Sequence, residues 1–274
     1  MSAILGIDAA WTSHHPSGVE LIRRVKSAKW ELARVSSSYE EFLGLPNLLA
    51  NETGRSKVPV KALLETAKRC AGTDVKLIVA DIPLATKPIV GRRYADDEIS
   101  RLFGGKGCSA HSPSPIRPGR VSEEIRDGFQ RCGFPLATNL GNLSDHALIE
   151  TYPHPALLSL MKVSYRVRYK IGNSKRYWPH FDREKRLENI IENLEAVRAK
   201  LTVIDGIDFK VPKDAQGFSS LKPVEDKIDA LVCAWIGIQV LEGRAMAIGN
   251  DEACIWLPAD LQNSAPTERG LERL

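Results

Sequence analysis

The stretch ILGIDAAW, residues 4–11, decides how this chain is read. Apolar residues interrupted only by Gly6 lead into Asp8, and two alanines then turn the chain towards Trp11. A run that reads as a buried strand therefore ends on a carboxylate. One such case means little, because aspartate opens turns by bonding to the backbone just ahead of it. The pattern recurs twice: KLIVADIPL closes its apolar run at Asp81, and HALIETYPHP closes at Glu150. Continuous apolar runs suit strands covered on both faces, as in the middle of an α/β sheet. Between Asp8 and Asp81 lies far more chain than a hairpin needs, including the helical spacing of VKALLETAKRCAG with Gly72 as its stop. Such spacing permits parallel crossovers that bring strand ends to one edge, where ligand sites of open α/β sheets gather. The alternative is three unrelated turn-capping acids.

Working outward, GVELIRRV and AKWELARVSS read as an antiparallel pair beside the first strand. From about residue 85 to 145, Gly, Pro, Ser and Arg surround two helical stretches, ADDEISRLFG and VSEEIRDGFQRCG, which reads as a helical insertion over the acidic edge. Helices are expected from about Phe181 to Lys200 and from Pro223 to Gly243, and ACIWLP as a last short strand. The expectation is a single α/β domain over residues 1–261, built on a mixed five-stranded sheet flanked by helices. Residues 262–274 are expected to form a flexible polar tail.

Composition excludes several classes. A hydrophobic fraction of 43% with 26% charged residues is ordinary for a globular chain with a sizeable core. No apolar run approaches the roughly 18 residues that cross a bilayer, and no charged segment followed by an apolar one marks a secretion signal. The five cysteines are scattered and form no CxxC pair, which argues against a disulfide framework or structural zinc and suits a reduced cytoplasm. The net charge of +4 carries little information beside its distribution.

PVEDKIDALVCAWIGIQVLEG, residues 223–243, adds two further acids. Asp226 and Asp229 are three apart and fall on neighbouring parts of one helix face. Leu231, Val232, Trp235, Ile236 and Val240 mark the packing face, with Asp229 at its edge and Asp226 further out. A carboxylate there is costly unless something positive meets it. Attraction of first-turn acids to the helix dipole is the simpler account, sufficient for Glu225 and less so for Asp229. Carboxylates that converge resist ionising together, and a divalent cation removes that objection. Mg²⁺ or Mn²⁺ takes hard oxygen ligands, and a pair of such ions can activate water against a phosphodiester.

GIDAAW, VADIPL, GRRYADDEISR, IETYPHPAL and EDKIDALVCAW, in this order across residues 4–257, resemble a widespread family of uncharacterised proteins predicted to be nucleases with an RNase H-like fold. The last of these motifs also resembles the closing helix of Holliday-junction resolvases. The resemblance implies metal-dependent phosphodiester cleavage of DNA or RNA, with Asp8, Asp81, Glu150 and Asp229 as metal ligands and Asp226 as an alternative to Asp229.

Substrate contacts are expected from two basic regions. Residues 162–186, KVSYRVRYKIGNSKRYWPHFDREKR, hold nine basic residues against two acids, with aromatics interleaved. Arg166, Arg168 and Lys170 could neutralise phosphates while rings stack on bases; the alternative is a solvated strand pair whose aromatics pack inward. Arg92, Arg93 and Arg101 follow Asp81, and Arg92 or Arg93 could either hold a scissile phosphate or pair with Asp96 and Asp97. The loop GGKGCSAHSPSPIRPGR matches no phosphate-binding loop motif. His111 within it is the best candidate proton shuttle; His14 and His15 lie near Asp8 in sequence, and His154 suits a packing role. Two other functions compete: a nucleotide phosphotransferase, which lacks its glycine-rich turn after Asp8, and a non-catalytic nucleic-acid or nucleotide-binding regulator on the same scaffold.

Overall fold

The computed structural model describes residues 2–12, 15–25, 29–45 and 58–263. His14 and the tail beyond residue 263 therefore lie outside the described residues. Strands β1 (Ala3–Asp8), β2 (Gly18–Arg24) and β3 (Trp30–Ser36) form an antiparallel meander. Helix α1 (Tyr39–Leu43) starts where the Ser38 hydroxyl accepts from the Glu41 amide, and it stops at left-handed Gly44. Helix α2 (Val60–Ala71) precedes β4 (Val75–Ala80), which lies parallel beside β1. Helices α3 (Tyr94–Phe103) and α4 (Arg120–Arg131) come before β5 (Ala147–Glu150), which is parallel to β4. Then follow α5 (Pro153–Met161), the single turn α6 (Ser174–Tyr177), α7 (Arg183–Lys200), β6 (Ile204–Asp205) and α8 (Phe218–Leu241). Strands β7 (Ala245–Gly249) and β8 (Cys254–Pro258) close the described chain as a separate hairpin.

The main sheet is mixed and has six strands in the order β5-β4-β1-β2-β3-β6. The expected count of five is corrected by β6, whose two residues are too short to register as an alternating pattern. Helices cover both faces. Ile4, Leu77 and Val79 belong to the core that α5, α7 and α8 share, while Leu5, Ile7, Ile78 and Ala80 pack with residues of α2 and α4. This two-sided burial explains the unbroken apolar runs. The two helices of the 85–145 segment do not lie together over one edge. Ile99 and Phe103 of α3 join the α8 side, and Ile125 and Phe129 of α4 join the α2 side. No described helix is long and apolar enough to cross a membrane.

Helix α8 lies unusually close to the sheet. A Cβ on Gly6 would sit 2.3 Å from the Ala230 carbonyl oxygen and 2.7 Å from the Ala234 amide nitrogen. One on Gly18 would sit 2.2 Å from the Asp226 carbonyl oxygen. Glycine here is a requirement of backbone-to-backbone contact. Gly18 is also the cross-strand partner of Asp8, so the turn of α8 carrying Asp226 is seated beside the carboxyl end of β1.

Two outcomes are expected. Gly6→Val should lower unfolding stability by about 3 kcal/mol in denaturant melts, because the clash is with helix backbone; a loss under about 1 kcal/mol would mean that the helix-to-sheet spacing is not fixed there. Glu20, the β2 partner of Gly6, is fully buried and neither of its carboxylate oxygens has a hydrogen-bond partner. Burial pushes its carboxyl well above the usual range, so the folded protein binds a proton there that the unfolded chain has released. Stability from this group is whole below the unfolded carboxylate range and falls as pH rises through it towards the folded value. Glu20→Gln should therefore melt higher than wild type at pH 8, with the difference narrowing towards pH 4. A difference independent of pH would contradict a buried neutral carboxyl.

Candidate functional site

Asp8 and Asp81 stand at the carboxyl ends of adjacent parallel strands. Ile7 is level with Ala80, and the Asp81 amide donates to the Ile7 carbonyl at 2.8 Å. Side chains alternate along a strand. Asp8 thus shares the face of Ile4 and Gly6, and Asp81 that of Leu77 and Val79, so both point to the side covered by α8. That helix begins at Phe218, about a turn and a half earlier than expected, with Pro223 inside it. Glu225, Asp226 and Asp229 are consequently interior residues and all are buried. The helix-dipole account of Glu225 is corrected accordingly.

Glu150 goes elsewhere, and register gives the reason. It is level with Ala80 and hence with Ile7, whose side chains point to the opposite face; Thr151 follows at the level of Asp81. Arg93 holds Glu150 by two bonds, NH1 to Oε2 at 2.6 Å and NH2 to Oε1 at 2.7 Å. The same guanidinium binds Asp96 through Nε and NH2 and donates to the Leu84 carbonyl. The Leu84 amide adds a bond to Glu150 Oε2 at 2.6 Å. Expected as a metal ligand, Glu150 is instead half of a buried forked ion pair, and Arg93 is withdrawn from substrate contact. Arg92 is withdrawn as well. Its guanidinium is spent on Asp97, Ser100, Ser112 and the carbonyls of Asp96 and Ala110. Arg101 pairs with Glu98 on the surface.

Lys170, expected to meet substrate, enters the acid cluster. Its ammonium donates to Asp229 Oδ2 at 2.5 Å and lies 3.7 Å from Glu225 Oε1. The Tyr169 hydroxyl donates to Asp229 Oδ1 at 2.5 Å, so both oxygens of Asp229 are engaged. Lys222 bridges Glu225 and Asp226 at 2.7 and 2.6 Å. Burial pushes the Asp8 carboxyl up, Lys170 pulls it down, and Asp226 raises it again. Asp81 is driven well above its usual range by burial and then by Asp8. Burial takes Asp229 up to about 7 and Asp226 up to about 6, each against the pull of a lysine. Lys170 is held firmly cationic by these acids despite its burial, Asp229 first among them.

The donor set suits a hard divalent cation only in part. No hydrogen bond or ion pair reaches the carboxylates of Asp8 and Asp81 within the described residues, and Asp226 Oδ2 is buried without a partner. These oxygens, with Asp229 if Lys170 withdraws, would hold such an ion. Glu150 does not fit. As placed, no three or more Asp, Glu, His or Cys side chains among the described residues are arranged around a common ion position.

The basic segment forms the rim of this site. It is not a strand pair: residues 163–170 contain a bend and no strand and lead into a 3₁₀ turn and α6. Tyr169 is fully buried, whereas Tyr165 and Phe181 are exposed. Arg166 donates to the Gly107 carbonyl and meets His154 Nε2 at 2.6 Å. Arg168 carries no acid partner among the described residues. His111 stacks edge-on against Trp11, and burial together with Arg166 lowers its pKa. His154, buried between Tyr152 and Tyr169, has the packing position expected of it. Lys222 is a site residue that sequence reading does not name, and Glu225 and Tyr169 have other roles there, a helix-dipole acid and an aromatic of the basic segment. The i, i+3, i+4 spacing of Lys222, Glu225 and Asp226 on one helix was their available signal.

No curated protein and no solved structure matches the chain. A family model described as protein of unknown function (DUF429) matches residues 48–253, a range that contains Asp81, Lys170, Asp226 and Asp229. The match extends over more than half of the sequence, and the chain belongs to the DUF429 family.

Proposed function

We propose that this protein is a metal-dependent phosphodiesterase acting on nucleic acid, with an RNase H-like arrangement of strands and acids. One observation carries this reading: Asp8 and Asp81 stand side by side on one face, unpartnered, opposite the acids of α8. The order of three antiparallel strands, helix, strand, helices, strand and a closing acidic helix supports the RNase H-like part. A bound Mg²⁺ or Mn²⁺ supplies Lewis acidity to an attacking water and to the departing oxygen. Asp8 and Asp81 would present the open oxygens for that ion, with Asp226 Oδ2 from α8 and, only if Lys170 withdraws, Asp229. Lys170 offsets the repulsion that would otherwise keep these acids protonated. Arg166 and Arg168, on the rim, attract the phosphate backbone and make affinity depend on salt. His111, packed edge-on against Trp11 with its pKa lowered, is the candidate proton acceptor.

A second reading has its own support. The Lys170–Asp229 pair balances part of the cluster with the chain's own charge, as a nucleic-acid or nucleotide-binding protein without catalysis would require.

Two measurements separate the readings. Purified protein is screened with single-stranded, duplex and branched DNA and RNA in Mg²⁺ and in Mn²⁺. Asp8→Asn should lower cleavage by more than about 100-fold while leaving nucleic-acid binding intact; cleavage at the wild-type rate in that variant would assign the activity to a contaminant. Lys170→Met removes the cation from a buried pair and should cost about 3–5 kcal/mol without divalent ions. Millimolar Mn²⁺ should then raise its Tm more than that of wild type. If Mn²⁺ moves neither Tm and nothing is cleaved, the non-catalytic reading holds.

A further inference from the structure

Gly107 and the 165–177 segment border an open-mouthed cavity of about 170 Å³ lined by Tyr165, Arg166, Arg168, Asn173, Arg176 and Tyr177. Its wall depends on Gly107, whose left-handed backbone (φ 78°) carries no side chain where the Tyr165 ring lies; a Cβ there would come within 2.8 Å of that ring. The Arg166 amide donates to the Lys106 carbonyl at 2.9 Å and ties the two sides together.

Three arginines line this space, and the lining contains no acid. Those of Arg168 and Arg176 have no ion-pair partner among the described residues. Two lining donors, Arg166 Nε and the Tyr177 hydroxyl, are buried without a hydrogen-bond partner. A buried donor left unmatched is costly and calls for an acceptor. Arg166 spends its two terminal nitrogens on the Gly107 carbonyl and His154, so Arg168 and Arg176 are the cations left over. Together they describe a site for an anion with several oxygens, because arginine forks match phosphate oxygens in pairs. The cavity is well below the roughly 300 Å³ at which whole small-molecule pockets begin, so it admits a phosphate group and leaves the attached nucleoside outside. The exposed ring of Tyr165 at its mouth offers that nucleoside a stacking face.

We propose that this cavity receives the terminal phosphate monoester of a nucleic-acid strand. A terminal group enters end-on and brings two negative charges to three arginines, whereas an internal phosphodiester brings one and must leave with chain on both sides. Arg168 is two residues from Lys170, at most about 7 Å of backbone, so the cavity wall runs on directly into the lysine that binds Asp229. Resting on the phosphodiesterase reading, this position makes the protein cut at a fixed short distance from a phosphorylated end.

Binding is tested without turnover, in the Asp8→Asn protein without divalent ions. Fluorescent single strands of one sequence carry a 5′-phosphate, a 3′-phosphate or hydroxyls at both ends, with inorganic phosphate as competitor. One phosphorylated form should bind about tenfold tighter or more than the hydroxyl-ended strand, and the form that does so identifies the end recognised. Inorganic phosphate should erase the difference. The double variant R168Q/R176Q should lose the preference with its Tm unchanged, since neither side chain has an acid partner to lose. Equal affinities for all three strands, or a preference that survives in the double variant, would overturn the proposal. The test is independent of cleavage: end preference in a protein that cuts nothing leaves the cavity assignment standing without the phosphodiesterase reading, and cleavage without end preference does the reverse.

Discussion

The backbone contact between α8 and the sheet at Gly6 and Gly18 is the constraint on which the rest of the site depends. An ordinary helix packs on a sheet through a layer of side chains. Here that layer is missing at two points, and the helix is seated directly above β1 and β2. Gly18 is the neighbour of Asp8 across the strands, and Asp226 is the residue whose carbonyl it meets. The same spacing that removes two side chains brings the helix acids to the strand acids. Gly237, further along α8, also keeps the helix close, but there an added carbon would meet the side chains of Ile4 and Val79. At Gly6 and Gly18 the seating is rigid, because an added carbon meets backbone that cannot turn aside.

Placing five acids in one buried region raises an electrostatic problem that the chain answers locally. Lys170 and Lys222 each reach two of the helix acids. Asp8 and Asp81 are left as the pair with no such partner, and for that reason they, and not Asp229, define where an external cation would be most favoured. Arg93 solves a separate problem on the other face of the sheet. It satisfies Asp96 and Glu150 together and so fastens the loop after β4 to the end of β5. Removing one partner of such a buried network typically costs several kcal/mol, whatever the intact network contributes.

Much of this was legible in the residues. ILGID and LIVAD state both a covered strand and its acidic end, and their separation allows the parallel pairing that the structure has. Glu150 shows the limit of that reasoning. ALIE has the same form as the other two runs, yet pairing places its last residue one step short of Asp81, and one step reverses the face. Register is a property of pairs of strands and is not written in one of them. The start of α8 was hidden for a related reason: Pro223 reads as a first-turn residue, while the helix extends five residues ahead of it. Lys170 and its neighbours Arg166 and Arg168 are alike in sequence. Only tertiary packing sends the first inward to Asp229 and leaves the second and third at the rim.

The hairpin of β7 and β8 and the segment after α4 have a consequence for solubility in the crowded state. A sheet whose border strand offers free amides and carbonyls can recruit a strand from another molecule and grow. On β5 that border is occupied: the Leu148 amide donates to the Pro135 carbonyl, the Leu148 carbonyl accepts from Ala137, and the Thr151 hydroxyl donates to the Trp256 carbonyl. At the opposite border β6 is only two residues long. The sheet is therefore blocked against edge-to-edge polymerisation at β5, whereas β6 covers only Trp30 and Glu31 of β3 and leaves the rest of that strand's outer edge beyond it.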